Sequence, residues 1–322
     1  MQAKRLLTSI LAVLAMIATC GTAQSQFPER PIRIIVGFKA GSAADIVGRV
    51  VGEKLADILK GSVVIENKAG AASETAGRYV ASSTPDGYTL FVGTISNSIN
   101  FAARGQTALD LSSNLAPIAE IAEAPNVLVV APSLNAHTVA DVIRLAEAKP
   151  GELSCATAGA GSALHMAAEL FSVRANIRLL IVPYLGSSAA MPDLLSGRTS
   201  LMFAPISTVL GFVRDGKLRA IAVTTLGRVP TLPNVPTIGE EGLADFESSI
   251  WFGLFAPKGL APDIAKSLES AILAAADAPD VKSSLAAQGI AGLTKNSSDF
   301  TRFIKTEDEK WAKVIKERGL KL

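Results

Sequence analysis

Two short loops carry the residue types that seat an anion. The first is Gly37-Phe38-Lys39-Ala40-Gly41-Ser42. It lies between an apolar run (Ile32, Ile34, Ile35, Val36) and a segment from about Asp45 to Leu59, in which Val47, Val50, Val51, Leu55, Ile58 and Leu59 recur at helical spacing. The second is Ala158-Gly159-Ala160-Gly161, about 120 residues further on, after an apolar run Leu153–Thr157 and before a helix that Ser162 is placed to cap. Strand, glycine loop and helix N-terminus in that order leave unpaired amides and the positive end of the helix dipole pointing out of the loop. Glycine lets the backbone approach a ligand closely. Neither loop is a nucleotide cradle, because G-x-x-x-x-G-K-[ST] is absent and G-x-G-x-x-G is incomplete. Each loop alone also reads as a tight turn serving helix–strand packing. Two of them, one in each half of the chain, read together as paired seats facing each other across a cleft and holding the two ends of a small dianion. Lys39 is the one formal positive charge of the first loop, either helping an anion or solvated.

His165, one turn into the second helix, admits two readings. As a catalytic base it needs Ser162 or another nucleophile beside it and an orienting carboxylate, for which Asp193 is the nominee. No G-x-S-x-G elbow accompanies it, and packing or hydrogen bonding to a ligand is the better reading. Asp193 equally suits a helix cap or a ligand contact. Cys155, among alanines in a strand, reads as an inert core thiol, and Trp251 and Trp311 as core. Two histidines in the whole chain leave no zinc or iron site of ordinary composition, and no cofactor motif is present.

The elements that must position these loops follow from the apolar pattern. Strands are expected at Val63–Ile65 and Thr89–Gly93, with a helix near 73–82 between them, so three β-α repeats build a parallel sheet. Loops 37–42, 67–73 and 94–98 then share the rim at the strands' carboxyl ends, where ligands bind. Further strands are expected at 127–131, 153–157, 179–182, 200–203, 220–224 and 251–256. Helices are expected at 139–148, from 162, at 191–195, 209–214, 262–276, 280–287 and 299–318. The fold class is α/β with two lobes: residues 24–126 plus 253–322, and residues 127–252. Crossings near 125–131 and 250–256 suit hinge closure on a ligand.

Residues 1–23 have the basic start, apolar run and small-residue end of a secretory leader, with cleavage expected after Ala23. Cys20 offers a lipoprotein anchor, which Thr19 disfavours. That segment holds two basic residues and no acidic one, so the remainder balances 29 Lys and Arg against 29 Asp and Glu. Near-zero charge argues against nucleic acid or an anionic membrane surface as partner. No later run reaches the ~18 apolar residues of a spanning helix, so a soluble periplasmic protein is expected.

The motifs resemble those of the Bug proteins, the TctC-like substrate-binding components of tripartite tricarboxylate transporters. The matching stretches are Phe27-Pro28-Glu29-Arg30-Pro31-Ile32 into Phe38-Lys39-Ala40-Gly41, Val64–Gly70, Pro85–Leu90, Ala158–Ser162 with His165, Pro183-Tyr184 with Asp193-Leu194-Leu195, and Leu232–Thr237. Together they span the chain after the leader. The resemblance implies a two-lobe, type II-like Venus flytrap, monomeric and without cofactor or metal. It would bind a small carboxylate through backbone amides, hydroxyls and waters and pass it to the membrane components of a transporter. Carried over, the carboxylate meets Phe38, Lys39, Ala40, Gly41 and Ser42 from one lobe. From the other it meets Thr157, Ala158, Gly159, Ala160, Gly161, Ser162 and His165, with Ser96, Asn97 and Asp193 completing the pocket. A protein presenting its ligand to a signalling receptor, or a secreted enzyme using Ser162, His165 and Asp193, are the alternatives. The chain departs from the family pattern at Lys39 (usually Pro), at Ser42 (usually a second Gly) and at Ala71-Ala72-Ser73, which lacks a common glycine pair.

Overall fold

The structure, a computed structural model, describes residues 27–319; the expected leader, with Cys20, lies outside them. The first half runs β1 (Ile32–Val36), α1 (Ala43–Leu59), β2 (Val63–Asn67), α2 (Glu74–Ala81), β3 (Thr89–Thr94), α3 (Ile95–Arg104), α4 (Leu111–Asn114) and β4 (Leu115–Val130). Next come α5 (Val139–Ala148), β5 (Ser154–Thr157), α6 (Ala163–Ala175), β6 (Leu180–Pro183), α7 (Ser187–Leu195), β7 (Leu201–Pro205), α8 (Ile206–Arg214) and β8 (Arg219–Val223). The chain ends with β9 (Ser249–Pro257), α9 (Pro262–Asp277), α10 (Pro279–Ala287) and α11 (Ser297–Arg318).

β1 is apolar at Ile32, Ile34, Ile35 and Val36, which are fully buried as it pairs in parallel with β2 and β3; its one charged residue, Arg33, is part-exposed and pairs with Glu66 of β2. The first sheet has the order β2-β1-β3-β9-β4, with β9 antiparallel between β3 and β4. The second sheet repeats that scheme as β6-β5-β7-β4-β8, so β5 stands where β1 stands and β4 takes the place of β9. β1 and β5 are therefore equivalent strands of two similar lobes, and the loops that follow them emerge at equivalent places.

β4 belongs to both sheets. From Leu115 to Pro125 it pairs with β9, and from Asn126 to Val130 with β7 and β8. The change falls after Pro125, which has no N–H to give a ladder. Beside it the second crossing is tied to the first: Asn126 N donates to Thr224 Oγ1 (3.2 Å), Thr224 N to Asn126 O (3.0 Å) and Asn126 Nδ2 to Ser248 O (3.2 Å).

Three expectations shift. Residues 94–98 are not a loop: Thr94 and Asn97 form a capping box and α3 begins at Ile95. Residues 115–126, which carry glutamates and prolines and were not expected as strand, form most of β4 because β9 supplies their partner. β9 begins at Ser249 and pairs with β4 from there, so the 252/253 lobe division expected from the sequence falls inside it.

α11 buries Phe300, Ile304 and Trp311 and packs on α3 and β4. Asp308 lies on this helix, and burial, with the charges of Asp110, Glu307 and Glu309, pushes its carboxyl up to about 7. A raised acid keeps a proton that the unfolded chain releases near 3.8, so stability declines as pH rises from about 4 through about 7. Asp308→Asn is expected to add about 1–2 kcal/mol at pH 8, a figure discounted for partial solvent contact, and little at pH 4. Thermal melts at the two pH values check this, and an equal change at both would refute the assignment.

Candidate ligand cleft between the lobes

The two anion seats are built alike, residue by residue. Ala40-Gly41-Ser42-Ala43-Ala44-Asp45 follows β1, and Ala160-Gly161-Ser162-Ala163-Leu164-His165 follows β5. Gly41 and Gly161 take φ of +76° and +71°, a region open to glycine. Ser42 and Ser162 are N-caps with nearly identical angles (φ −74°, ψ 160° and φ −73°, ψ 159°), and their hydroxyls accept from Asp45 N at 3.4 Å and His165 N at 3.2 Å. Each glycine amide is taken by the side chain four residues on: Gly41 N donates to Asp45 Oδ2 (2.9 Å), Gly161 N to His165 Nδ1 (3.1 Å). A further four residues on, each of those side chains meets a partner. Arg49 binds Asp45 through Nε (3.0 Å) and Nη2 (2.9 Å), and Glu169 lies 3.3 Å from His165 Nε2.

The chemistry of the two seats is thus complementary. An imidazole whose Nδ1 accepts an amide is neutral with its proton on Nε2, here facing Glu169. Asp45 is charged: burial opposes this, but hydrogen bonds from Arg49, the Gly41 amide and Asn67 outweigh it and hold the carboxyl below the usual range. In both seats the caps occupy the glycine amide and the amide of the third helical residue; Ala43 and Ala44 in one lobe and Leu164 in the other keep first-turn amides without a helical partner, while Ala163 N is taken by Ser96 across the cleft.

The lobes are closed. Ser96 Oγ of α3 accepts from Ala163 N (3.0 Å), Lys39 N donates to Leu185 O (3.3 Å) and Ser188 Oγ to Ala40 O (2.8 Å). The Lys39 bond depends on the departure noted above, since a proline there has no N–H. Closure brings both seats onto one hollow of about 30 Å³, walled also by Phe38, Thr94, Ser96, Ala158, Ser187 and Phe252. The two seats therefore face one shared hollow rather than two separate ones. A second hollow of about 430 Å³ adjoins it, sharing Phe38 and Ala158 and lined further by Gly37, Ala71, Ala72, Asn100, Arg104, Gly159, Ala160 and Tyr184.

The other expected residues fall into distinct places. Ser42 and Ser162 line the small hollow, Gly159 and Ala160 the large one. Lys39 and Ala40 are exposed and contribute backbone to closure. Asn97 lies in neither wall; its Oδ1 accepts from Thr94 N (3.1 Å) as part of the cap. Thr157 is fully buried at the end of β5, beneath the loop. Asp193 lines neither hollow; it accepts from Tyr184 Oη (2.6 Å), a residue of the larger hollow's wall, and pairs with Arg198 (2.6 Å). Burial, with the Asp193 carboxylate, pushes that phenol up to about 12. Ser162, His165 and Asp193 consequently form no nucleophile–base–acid chain. Cys155 is buried, and burial pushes its thiol up to about 12. Among the described residues no group of three or more His, Cys, Asp or Glu is placed to hold a metal.

The sequence reading did not name Ser187, Asn100, Arg104 and Phe252, and it placed Thr94 only in the expected 94–98 rim and Tyr184 only in a matching motif. Ser187 and Thr94 had a signal, since each follows a strand's carboxyl end. Phe252 and Arg104 had none, because only pairing with β3 and the length of α3 bring them to the cleft.

Comparison with known proteins agrees with this architecture. The family model for the tripartite tricarboxylate transporter family receptor matches residues 47–320. The chain belongs to that family. It is 34% identical to the protein BugT of Bordetella pertussis over 323 residues, covering 98% of this chain and 99% of the relative. The periplasmic binding protein BugD superposes with a TM-score of 0.88 at 29% identity, over 92% of this chain and 99% of that one. The R. palustris protein Rpa4515, solved with adipate, gives 0.87 at 32% identity, over 91% and 98%. The fold is therefore that of a two-lobe periplasmic solute-binding protein. Among the described residues no helix is long and apolar enough to cross a membrane.

Two substitutions test the seats. A Cβ on Gly161 would lie 2.3 Å from Asn100 Oδ1 across the cleft, a clash that exists only when the lobes are closed. Gly161→Ala is expected to weaken ligand binding at least tenfold while lowering free-protein stability by only about 1–2 kcal/mol for the positive φ; calorimetric titration and thermal melting separate the two. His165→Ala orphans the Gly161 amide and should cost about 1–3 kcal/mol, and His165→Asn, whose Oδ1 can take that amide as Asp45 does in the other lobe, should recover most of it.

Proposed function

We propose that this chain is an exported solute receptor that closes its lobes over a small carboxylate and delivers it to the membrane components of a tripartite transporter. The observation that carries this reading is the convergence of two matching helix N-termini, one from each lobe, on one shared hollow. Helix starts with free amides are anion sites by electrostatics and geometry together. Placing one on each lobe makes the anion a bridge, so binding and closure are a single event. Charge-assisted hydrogen bonds contribute about 1.5–3 kcal/mol each, and a few of them reach the roughly −8 kcal/mol of micromolar binding. Rpa4515, a family neighbour, was solved with adipate, which supports an organic acid as cargo. The near-neutral charge after a leader suits release into the periplasm. Both lobes contribute to the seat, so either membrane partner or ligand senses the closed form.

The test is calorimetric titration and thermal shift of residues 24–322 against mono-, di- and tricarboxylates and amino acids. A carboxylate at 100 times its dissociation constant should add ~2.7 kcal/mol of stability. Silence toward every carboxylate at millimolar concentration, in protein shown by mass spectrometry to carry no copurified ligand, would sink the reading. Loss of uptake of the identified acid in a strain lacking this gene, with other solutes taken up normally, checks the transport role.

A further inference from the structure

We propose that Arg49 and Glu169 are positioning residues for the two seats, and that the pairs Asp45–Arg49 and His165–Glu169 are interchangeable between the lobes. The proposal rests on the reading of the seats as receivers of an anion. Neither Arg49 nor Glu169 lines either hollow; each acts through the side chain that holds its seat's glycine amide. Asp45 and Arg49 are the third and seventh residues of α1, and His165 and Glu169 the third and seventh of α6. Four residues apart on a helix, the members of each pair share one face. The inner members, Asp45 and His165, are buried, and the outer members stand nearer solvent.

Each outer residue is matched to the state its inner partner must hold. Asp45 takes the Gly41 amide best as a carboxylate, since an ionised acceptor forms the stronger bond. Burial opposes that charge, and the Arg49 fork leads the donors that sustain it, through Nε at 3.0 Å and Nη2 at 2.9 Å. Asn67 Nδ2 adds a further donor at 2.9 Å. His165 has the reverse need. Its Nδ1 accepts from Gly161 N at 3.1 Å, so the ring proton belongs on Nε2. A buried N–H needs an acceptor, and Glu169 Oε1 stands 3.3 Å from Nε2.

Changing one member alone turns the match into a conflict. A guanidinium at position 169 would donate to Nε2, drive the ring proton to Nδ1 and set it against the Gly161 N–H. A carboxylate at position 165 would face Glu169 with a like charge. Made together, His165→Asp and Glu169→Arg write the first lobe's pair into the second at the same register. Gly161 and Ser162 there already hold the backbone angles of Gly41 and Ser42. The paired change is therefore expected to rebuild what each single change breaks.

The test is amide hydrogen exchange at Gly161, followed by NMR on residues 24–322 without ligand, together with the ring-nitrogen spectrum of the chain's two histidines. The unaltered protein should carry the His165 ring proton on Nε2. Exchange at Gly161 should rise about tenfold or more in His165→Asp and in Glu169→Arg. It should return to within about threefold of the unaltered rate in the double variant, a non-additivity expected of a coupled pair. Should a single variant fail to fold, Glu169→Gln, which keeps an acceptor, should exchange more slowly than Glu169→Met, which removes it. A ring proton on Nδ1, additive single and double effects, or exchange unaltered in Glu169→Met would overturn the inference. These readings need no ligand, so they stand apart from the carboxylate titration. Adipate, the acid held by Rpa4515, then reads function: affinity that does not fall in the single variants overturns the positioning role, whereas no binding by the unaltered chain counts against the carboxylate reading alone.

Discussion

An amide at the start of a helix has no partner in the helix itself, and in a closing cleft it must find one elsewhere or meet a ligand. The rest of this structure depends on how that requirement is met. In each lobe a serine cap satisfies the amide of the third helical residue and a side chain four residues past the glycine satisfies the glycine amide. What remains are the amides of Ala43 and Ala44 in one lobe and of Leu164 in the other, all in residues that line one hollow, while Ala163 N is bonded to Ser96 across the cleft. The two lobes solve the same geometric problem with opposite charge arrangements, Asp45 with Arg49 and His165 with Glu169. The first places a carboxylate behind its seat and neutralises it with a guanidinium; the second uses a neutral ring and leaves a carboxylate further back.

The hinge explains why such seats act together. β4 runs through both sheets and the second crossing is bonded to it at Asn126, so one strand ties the two lobes together. Closure itself rests on few polar contacts, those of Ser96 with Ala163, Lys39 with Leu185 and Ser188 with Ala40. Each neutral hydrogen bond of this kind adds about 0.5–1.5 kcal/mol net. That is little enough for a bridging anion to decide the balance between open and closed forms, since a ligand shifts such an equilibrium by its differential affinity.

The departures from the family pattern acquire physical content in this setting. Ser42 makes the first seat match the second, serine for serine. Lys39 lends an N–H to closure that proline lacks, while its side chain stands outside both hollows. Ala71-Ala72-Ser73 keeps the left-handed path without the glycines that relieve it, and Ser73 sits so close that a Cβ on Gly37 would lie 2.0 Å from its hydroxyl. The small residue at 37 and the strained turn at 71–73 are therefore one feature of the cleft wall.

The sequence by itself determined the two strand–loop–helix units, their serine caps, the α/β class and the family motifs, because each rests on neighbours within a few residues: β-branched runs, helical spacing, glycine beside serine. It also placed the seats on the ligand-binding rim, since carboxyl ends of parallel strands all open on one side. Tertiary structure alone decided what the seats do together. Whether they hold two groups or one depends on how far apart the lobes close. That distance is set by contacts between residues more than 60 positions apart, such as Ser96 with Ala163. The same holds for Asp193, whose carboxylate is held by the hydroxyl of Tyr184 in the wall of the larger hollow. It holds for β4 too, whose first eleven residues lack an apolar pattern and are strand only because β9 returns to pair with them. Periodicity reports a residue's own helix or strand; it is silent on the partner that arrives from the other end of the chain.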